Sequence, residues 1–219
     1  MTSHVFRRSG AGRVAAAAAL ALGALIPASN AFADIIYSGA TSIAIPVTTA
    51  GIYLNVVTGA TGTSSSAVPG NDLNLWGTGS LFAWGSTGGG VVTGLGGSTT
   101  AVDNLALGTL VNGSQTMTLT PGGLQTETGA TAFLLNSTSN YIGFSFLNEA
   151  TGITNYGWMQ LSIGAAFNNS ARAILGYAYD NSGVGIAVGA VAAVPEPASA
   201  LLAAAGLAGL GLWRTRRRS

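Results

Sequence analysis

The chain has 219 residues, 48% hydrophobic, only 7% charged and without cysteine, where a soluble domain ordinarily carries about 25% charged residues. Its net charge of +1 belongs to the ends: Arg7, Arg8 and Arg13 open the chain and Arg214, Arg216, Arg217 and Arg218 close it, while residues 34–194 set Arg172 alone against six carboxylates, a charge of −5. This excludes a basic nucleic-acid-binding face, disulfides and Cys-ligated zinc; with the only histidine at His4, the body also lacks His, Cys and Lys for general-base, thiolate or Schiff-base chemistry.

Residues 1–33 read as a signal peptide. The three arginines form a basic start, Val14–Ile26 is an apolar run of 13 residues, Pro27 ends it, and Ala31-Phe32-Ala33 is a small-x-small site with cleavage expected before Asp34. As a helix the run reaches about 20 Å, short of the roughly 30 Å hydrocarbon core. Signal peptidase is therefore one expected processing enzyme.

Residues 34–193 are expected to form a secreted all-β domain, an antiparallel β-sandwich or jelly roll. Its Gly, Thr, Ser, Asn, Val and Ile composition favours strands and turns, and no amphipathic helical stripe occurs. Ser42–Val47 and Ile52–Val57 flank a turn and predict a hairpin; so do Leu73–Trp76 with Leu81–Trp84, and Leu105–Val111 with Thr116–Thr120 around Asn112-Gly113. Residues 85–98, GSTGGGVVTGLGGS, read as a flexible loop without the spacing or lysine of a phosphate-binding loop. Ala132–Leu135, Tyr141–Leu147, Tyr156–Ile163, Arg172–Tyr179 and an edge strand Gly185–Val188 follow. Alternation puts Ile142, Phe144 and Phe146 on one core face and Met159, Leu161 and Ile163 on another.

The body offers few sites. Tyr156 and Trp158 share the face opposite Met159; with Trp84 they are candidates for stacking on sugar rings, against the plainer reading of a second half-buried sheet face. Asp72 and Asp180 sit among Asn and Ser in turn-like contexts that could supply oxygen ligands to calcium, although the same residues build turns unaided; no metal or cofactor is assigned. Glu127 and Glu149 are the only body glutamates, and a glycan hydrolase needs two carboxylates facing a cleft. The domain is expected not to be an enzyme. Asn112, Asn136 and Asn168 fall in glycosylation sequons that an Asn/Ser/Thr-rich chain also yields by chance.

Residues 194–219 form a third segment. Val194-Pro195-Glu196-Pro197 precedes Ala198–Trp213, 16 residues without charge, and then an arginine cluster. As a helix this stretch spans about 24 Å, with Trp213 at the interface and Arg214, Arg216, Arg217 and Arg218 retaining the end in the cytoplasm, so that the body lies outside. The two prolines bias Val194 and Glu196 toward an extended backbone, the shape a processing enzyme's peptide substrate needs.

That order of proline-glutamate-proline, apolar helix and arginine cluster closely resembles the PEP-CTERM sorting signal of exported proteins in Gram-negative bacteria that make exopolysaccharide. The resemblance implies recognition by exosortase, a membrane-embedded enzyme, with processing near Pro195–Pro197 and removal of the helix. The precursor then contacts the inner membrane transiently, and the mature protein resides at the cell surface or outside the cell. A second resemblance covers Tyr141–Phe146, Thr154–Leu161 and Ile174–Tyr179, which look like a module common in PEP-CTERM proteins; Asn155 stands where histidine is usual and Asp180 where glutamate is usual. It implies a β fold and no reaction. The functions expected are a structural component of a biofilm or exopolysaccharide matrix, a lectin-like carbohydrate-binding module as the alternative, and a secreted glycan hydrolase as the remotest.

Overall fold

The computed structural model describes residues 34–192, apart from Thr87, Gly96, Ser98, Thr99, Thr120, Pro121, residues 125–130, Ser170 and the side chains of 122–124. The signal segment, the sorting segment with Trp213 and its arginines, and Glu127 lie outside the described residues. Among those described, no helix is long and apolar enough to cross a membrane.

The strands are β1 (Ile35–Tyr37), β2 (Ile43–Ala44), β3 (Ile52–Leu54), β4 (Thr61–Gly62), β5 (Leu73–Trp76), β6 (Phe82–Gly85), β7 (Gly90–Thr93), β8 (Ala101–Val102), β9 (Leu110–Val111), β10 (Thr116–Thr118), β11 (Gly122–Leu124), β12 (Ser137–Asn148), β13 (Ile153–Ile163), β14 (Arg172–Asp180) and β15 (Ile186–Ala187), with a 3-10 turn at Ser65–Ala67. One sheet runs β1-β14-β13-β12-β7-β8-β11-β6-β5-β3-β4, with β10 added to β7 and β2 to β14; β9 and β15 form a separate ribbon. The fold is all-β and antiparallel, except that β8 and β11 run parallel.

The long strands follow the sequence pattern. β12 and β13 pair from Asn148↔Ile153 to Ser137↔Ile163, and the two triads predicted as core, Ile142-Phe144-Phe146 and Met159-Leu161-Ile163, are fully buried. A bulge in β14 opposite Gln160/Leu161 inserts one residue. It brings Ile174, Tyr177 and Tyr179 to the same core despite their uneven spacing, because a bulge resets the alternation of faces. Against these strands pack Ile52 and Leu54 of β3, Leu73 and Leu75 of β5, and Leu81 and Ala83, so the two ends of one sheet face each other across the core. Each large side chain buried there contributes about 1.5–3 kcal/mol.

β7 is the seam of this arrangement, and here the sequence reading needs correction. Residues 85–98 are not simply a loop: Gly90–Thr93 is a fully buried strand bonded to β12, β8 and β10. Its glycines allow close backbone approach. A Cβ on Gly85 would lie 2.6 Å from the Gly90 Cα, and one on Gly89 2.2 Å from the Ser145 carbonyl oxygen.

Two predicted hairpins also pair differently. β2 joins β14, and β3 joins β4 and β5; Pro46 cannot extend a ladder, and the Ile45 and Pro46 carbonyls accept hydrogen bonds from Arg172 instead. The Asn112–Gln115 turn forms, but β9 pairs with β15 and β10 with β7. Residues 132–135 form no strand. Buried Asn140 instead serves as their partner through its amide, accepting from Leu134 N at 2.7 Å and donating to Leu134 O at 2.9 Å. The β5–β6 hairpin forms as expected, with Asn74↔Trp84 and Trp76↔Phe82.

Candidate functional site

The described chain ends at Ala192, beside the second face of the long strands. Val92, Leu105, Val111, Trp158, Ala178, Ile186 and Val188 form a second core there, so β12–β14 are covered on both faces. The chain entering and leaving the β9–β15 ribbon is tied by Gly108 N to Val188 O and Val188 N to Thr109 O, both 2.9 Å. Trp158 closes this layer. Its indole N–H donates to Ala190 O at 3.0 Å, and its ring lies 6.1 Å from those of Tyr37 and Tyr141. Ala190 is thus the last residue held by a described hydrogen bond to the long strands, and four residues separate it from Pro195.

The family model for the PEP-CTERM protein-sorting motif matches residues 193–218, directly after this point. The chain is a PEP-CTERM sorting-domain protein. The motif marks this PEP-CTERM protein as exported and processed by exosortase, from a precursor anchored in the membrane. No curated protein and no solved structure matches the chain.

The three aromatic candidates are not brought together. Trp158 is only 3% exposed, so neither face of its ring is open to a sugar; it packs the second core and holds Ala190. Tyr156 is part-buried in the same layer. Trp84 is half-buried on the other end of the sheet, and cross-strand register places it beside Asn74 and Tyr53, with the half-buried Trp76 and Phe82 on the same face. Trp76 and Phe82 stack on each other with centroids 4.8 Å apart. Sequence reasoning missed Tyr53, Trp76 and Phe82 as neighbours of Trp84. The period-2 pattern of the β5–β6 hairpin carried the signal for Trp76 and Phe82, whereas Tyr53 arrives only through the pairing of β3 with β5. Among the described residues, this face carries no charged side chain.

The buried carboxylates Asp72 and Asp180 serve the fold. Asp180 is buried; Oδ1 accepts from Ser182 N at 2.9 Å and Oδ2 from Gly185 N at 2.8 Å, with the Ser182 hydroxyl bridging both. Both oxygens are thereby spent on the turn that leads to β15. Among the described residues, no three His, Cys, Asp or Glu side chains gather to hold a metal. Glu149 is exposed on the β12–β13 turn and lies near enough to Asp72 to raise its pKa.

Asp72 is the chemically unusual group. It is 1% exposed, and Oδ2 accepts from Val56 N at 2.7 Å. Burial raises its pKa from 3.8 to about 7, opposed by the Val56 N–H and helped by Glu149. Buried Tyr177 and Tyr179 are shifted up, first by their own burial, with the Asp72 charge contributing to both. A carboxyl that holds its proton to about pH 7 when folded, but only to 3.8 when unfolded, stabilises the fold at low pH and less as pH rises through that window. Urea unfolding of the mature protein is therefore expected to show stability falling from pH 4 to pH 7.5, by up to about 4 kcal/mol. Asp72→Asn, which keeps an acceptor toward Val56, flattens that slope. An equally steep slope in the variant would assign the pH dependence to other groups.

Asn155, where the resembled module has histidine, is fully buried opposite Phe146, and neither of its amide atoms has a hydrogen-bond partner. A cavity of about 350 Å³ opens beside Tyr37, Val56, Gly59 and Tyr177. Two of its hydroxyls are engaged: Ser38 Oγ donates to Gly39 O and accepts from Tyr177 N, and Thr41 Oγ1 donates to Ile174 O.

Proposed function

We propose that this protein is a non-enzymatic structural component of the extracellular polysaccharide matrix or cell surface, and that the domain is a jelly-roll-like sandwich serving as its cargo. The observation that carries this reading is the sorting motif at 193–218, set immediately after the last described residue of a body whose buried acids are bonded within the fold. A passive role suits a domain without His, Cys or Lys. The expected result of fractionating exosortase-positive and exosortase-negative strains is a shortened form in the extracellular matrix of the first and full-length precursor in the membranes of the second. Pro195→Ala/Pro197→Ala should behave like the exosortase-negative strain. An identical C-terminus in both strains would remove the sorting step; correct processing with all mature protein free in the medium would remove the matrix role.

A second reading, a carbohydrate-binding module, is favoured by the uncharged face that carries Tyr53, Trp76, Phe82 and Trp84. Aromatic rings suit apolar sugar faces, but the mutual stacking of Trp76 and Phe82 also supports a plain cross-strand ladder. The same fractionation separates the two: release of the protein from matrix by added soluble polysaccharide favours the binding module.

A further inference from the structure

The two most exposed large apolar side chains among the described residues, Val184 at 73% and Leu107 at 66%, both flank the β9–β15 ribbon, and Leu110 at 51% and Val191 at 49% join them. Their placement is fixed by the fold. Leu110 pairs with Ala187, and Leu107 lies over Gly189, where a Cβ would come within 2.7 Å of it. Val184 precedes Gly185, whose N–H is held by Asp180. Val191 follows Ala190, which Trp158 holds. Residues 104–119 and 181–192 contain no charged side chain.

We propose that this apolar face rests on the lipid bilayer while the sorting tail anchors the precursor. The proposal builds on the membrane-anchored precursor described above, and the occupant follows from chain length. Ala198, the first residue of the uncharged stretch, is six residues beyond Ala192, a leash of at most about 20 Å. A domain of this size has a diameter of about 40 Å. The surface around the tail root is therefore the part of the domain held against the membrane, and it carries the most exposed apolar side chains. With no cationic side chain, the face gains nothing from anionic headgroups, so contact rests on apolar area and on the high effective concentration that a short tether imposes. Contact this weak ends when processing cuts the leash, which releases the domain. Until then it presents residues 193–197 to a membrane enzyme in one orientation.

The absence of cysteine makes the test direct. Leu107→Cys, Val184→Cys and, as control, Thr78→Cys are each labelled with an environment-sensitive fluorophore in the full-length precursor, reconstituted in phosphatidylcholine vesicles with and without nitroxide-bearing lipid. Thr78 is exposed and follows Gly77, which Arg172 bonds at one end of β14; Val184 lies beyond Asp180 at the other, about 26 Å away along the strand. Thermal melts establish that each variant is folded. The expected result is a blue shift and several-fold stronger lipid quenching at 107 and 184 than at 78, unchanged at high salt. Equal quenching at all three positions in a precursor that floats with the vesicles overturns the proposal. So does energy transfer between labelled copies in place of lipid quenching, which would mean that a second copy covers the face. A precursor that does not float overturns the anchored reading itself, and the proposal with it.

Discussion

Arg172→Met is expected to lower the unfolding free energy by about 3–5 kcal/mol, measured as a fall in the urea midpoint at unchanged slope. Arg172 is the only cation of the body and is 1% exposed. Among the described residues, no carboxylate forms a salt bridge with its guanidinium. Instead Nε donates to Ile45 O at 3.1 Å, Nη1 to Phe167 O at 2.6 Å, and Nη2 to Pro46 O at 2.5 Å and Gly77 O at 2.7 Å. One side chain thus fastens the segment after β2, the β5–β6 turn and the approach to β14. A buried ion pair can often be exchanged for apolar residues because both partners leave together; here the partners are backbone carbonyls and stay behind. Each acceptor left without a partner costs about 1–3 kcal/mol, less what water recovers. Burial pulls the Arg172 pKa down, yet a guanidinium remains charged, and its planar fork reaches several acceptors at once. Arg172→Lys should recover only part of the loss, because an ammonium is a compact point charge. Wild-type stability in Arg172→Met would show that the four bonds contribute nothing net.

Gly89→Ala is expected to cost at least about 3 kcal/mol or to prevent secretion of folded protein. The added Cβ would sit 2.2 Å from Ser145 O and 2.8 Å from the Phe146 Cα. Both are backbone atoms of β12, flanked by the core side chains Phe144 and Phe146, so neither can swing aside as a side-chain tip would. The control is Gly79→Ala on the β5–β6 turn, where nothing lies within 4 Å of the new Cβ and the change should stay within about 0.5 kcal/mol. Equal midpoints for the two variants, from urea melts of the secreted proteins, would mean that β7 is not the tight seam described here.

Some of this was legible in the order of residues and some was not. Period-2 alternation identified the buried triads of β12 and β13, because a strand with one face in a core must alternate regardless of what lies opposite. The β5–β6 hairpin was legible for the same reason, helped by a short turn. The sorting segment was the clearest signal, since Pro-Glu-Pro, an apolar run and an arginine cluster act through local chain properties. Residues 85–98 were misread because glycine carries two messages that composition cannot separate, freedom in a loop and room for another backbone. Only the approach of Ser145 and Thr118 to Gly89 and Gly90 shows that room was the message.

The charge pattern on which the chain is first recognised divides in the same way. That seven of eight arginines lie in the two terminal segments, and that the body between them is acidic and without His, Cys or Lys, needs no fold, because both are read directly from the order of residues. The eighth arginine shows in the sequence only as the lone cation of the body. Its real place, buried among four carbonyls from three segments, depends on contacts across 95 to 127 positions of the chain. The same holds for Trp158, drawn out of reach of any sugar to hold Ala190, and for Asp72, whose raised pKa comes from burial. Local pattern sets which face of a strand is apolar; desolvation and the partners of buried polar groups are properties of what packs on that face.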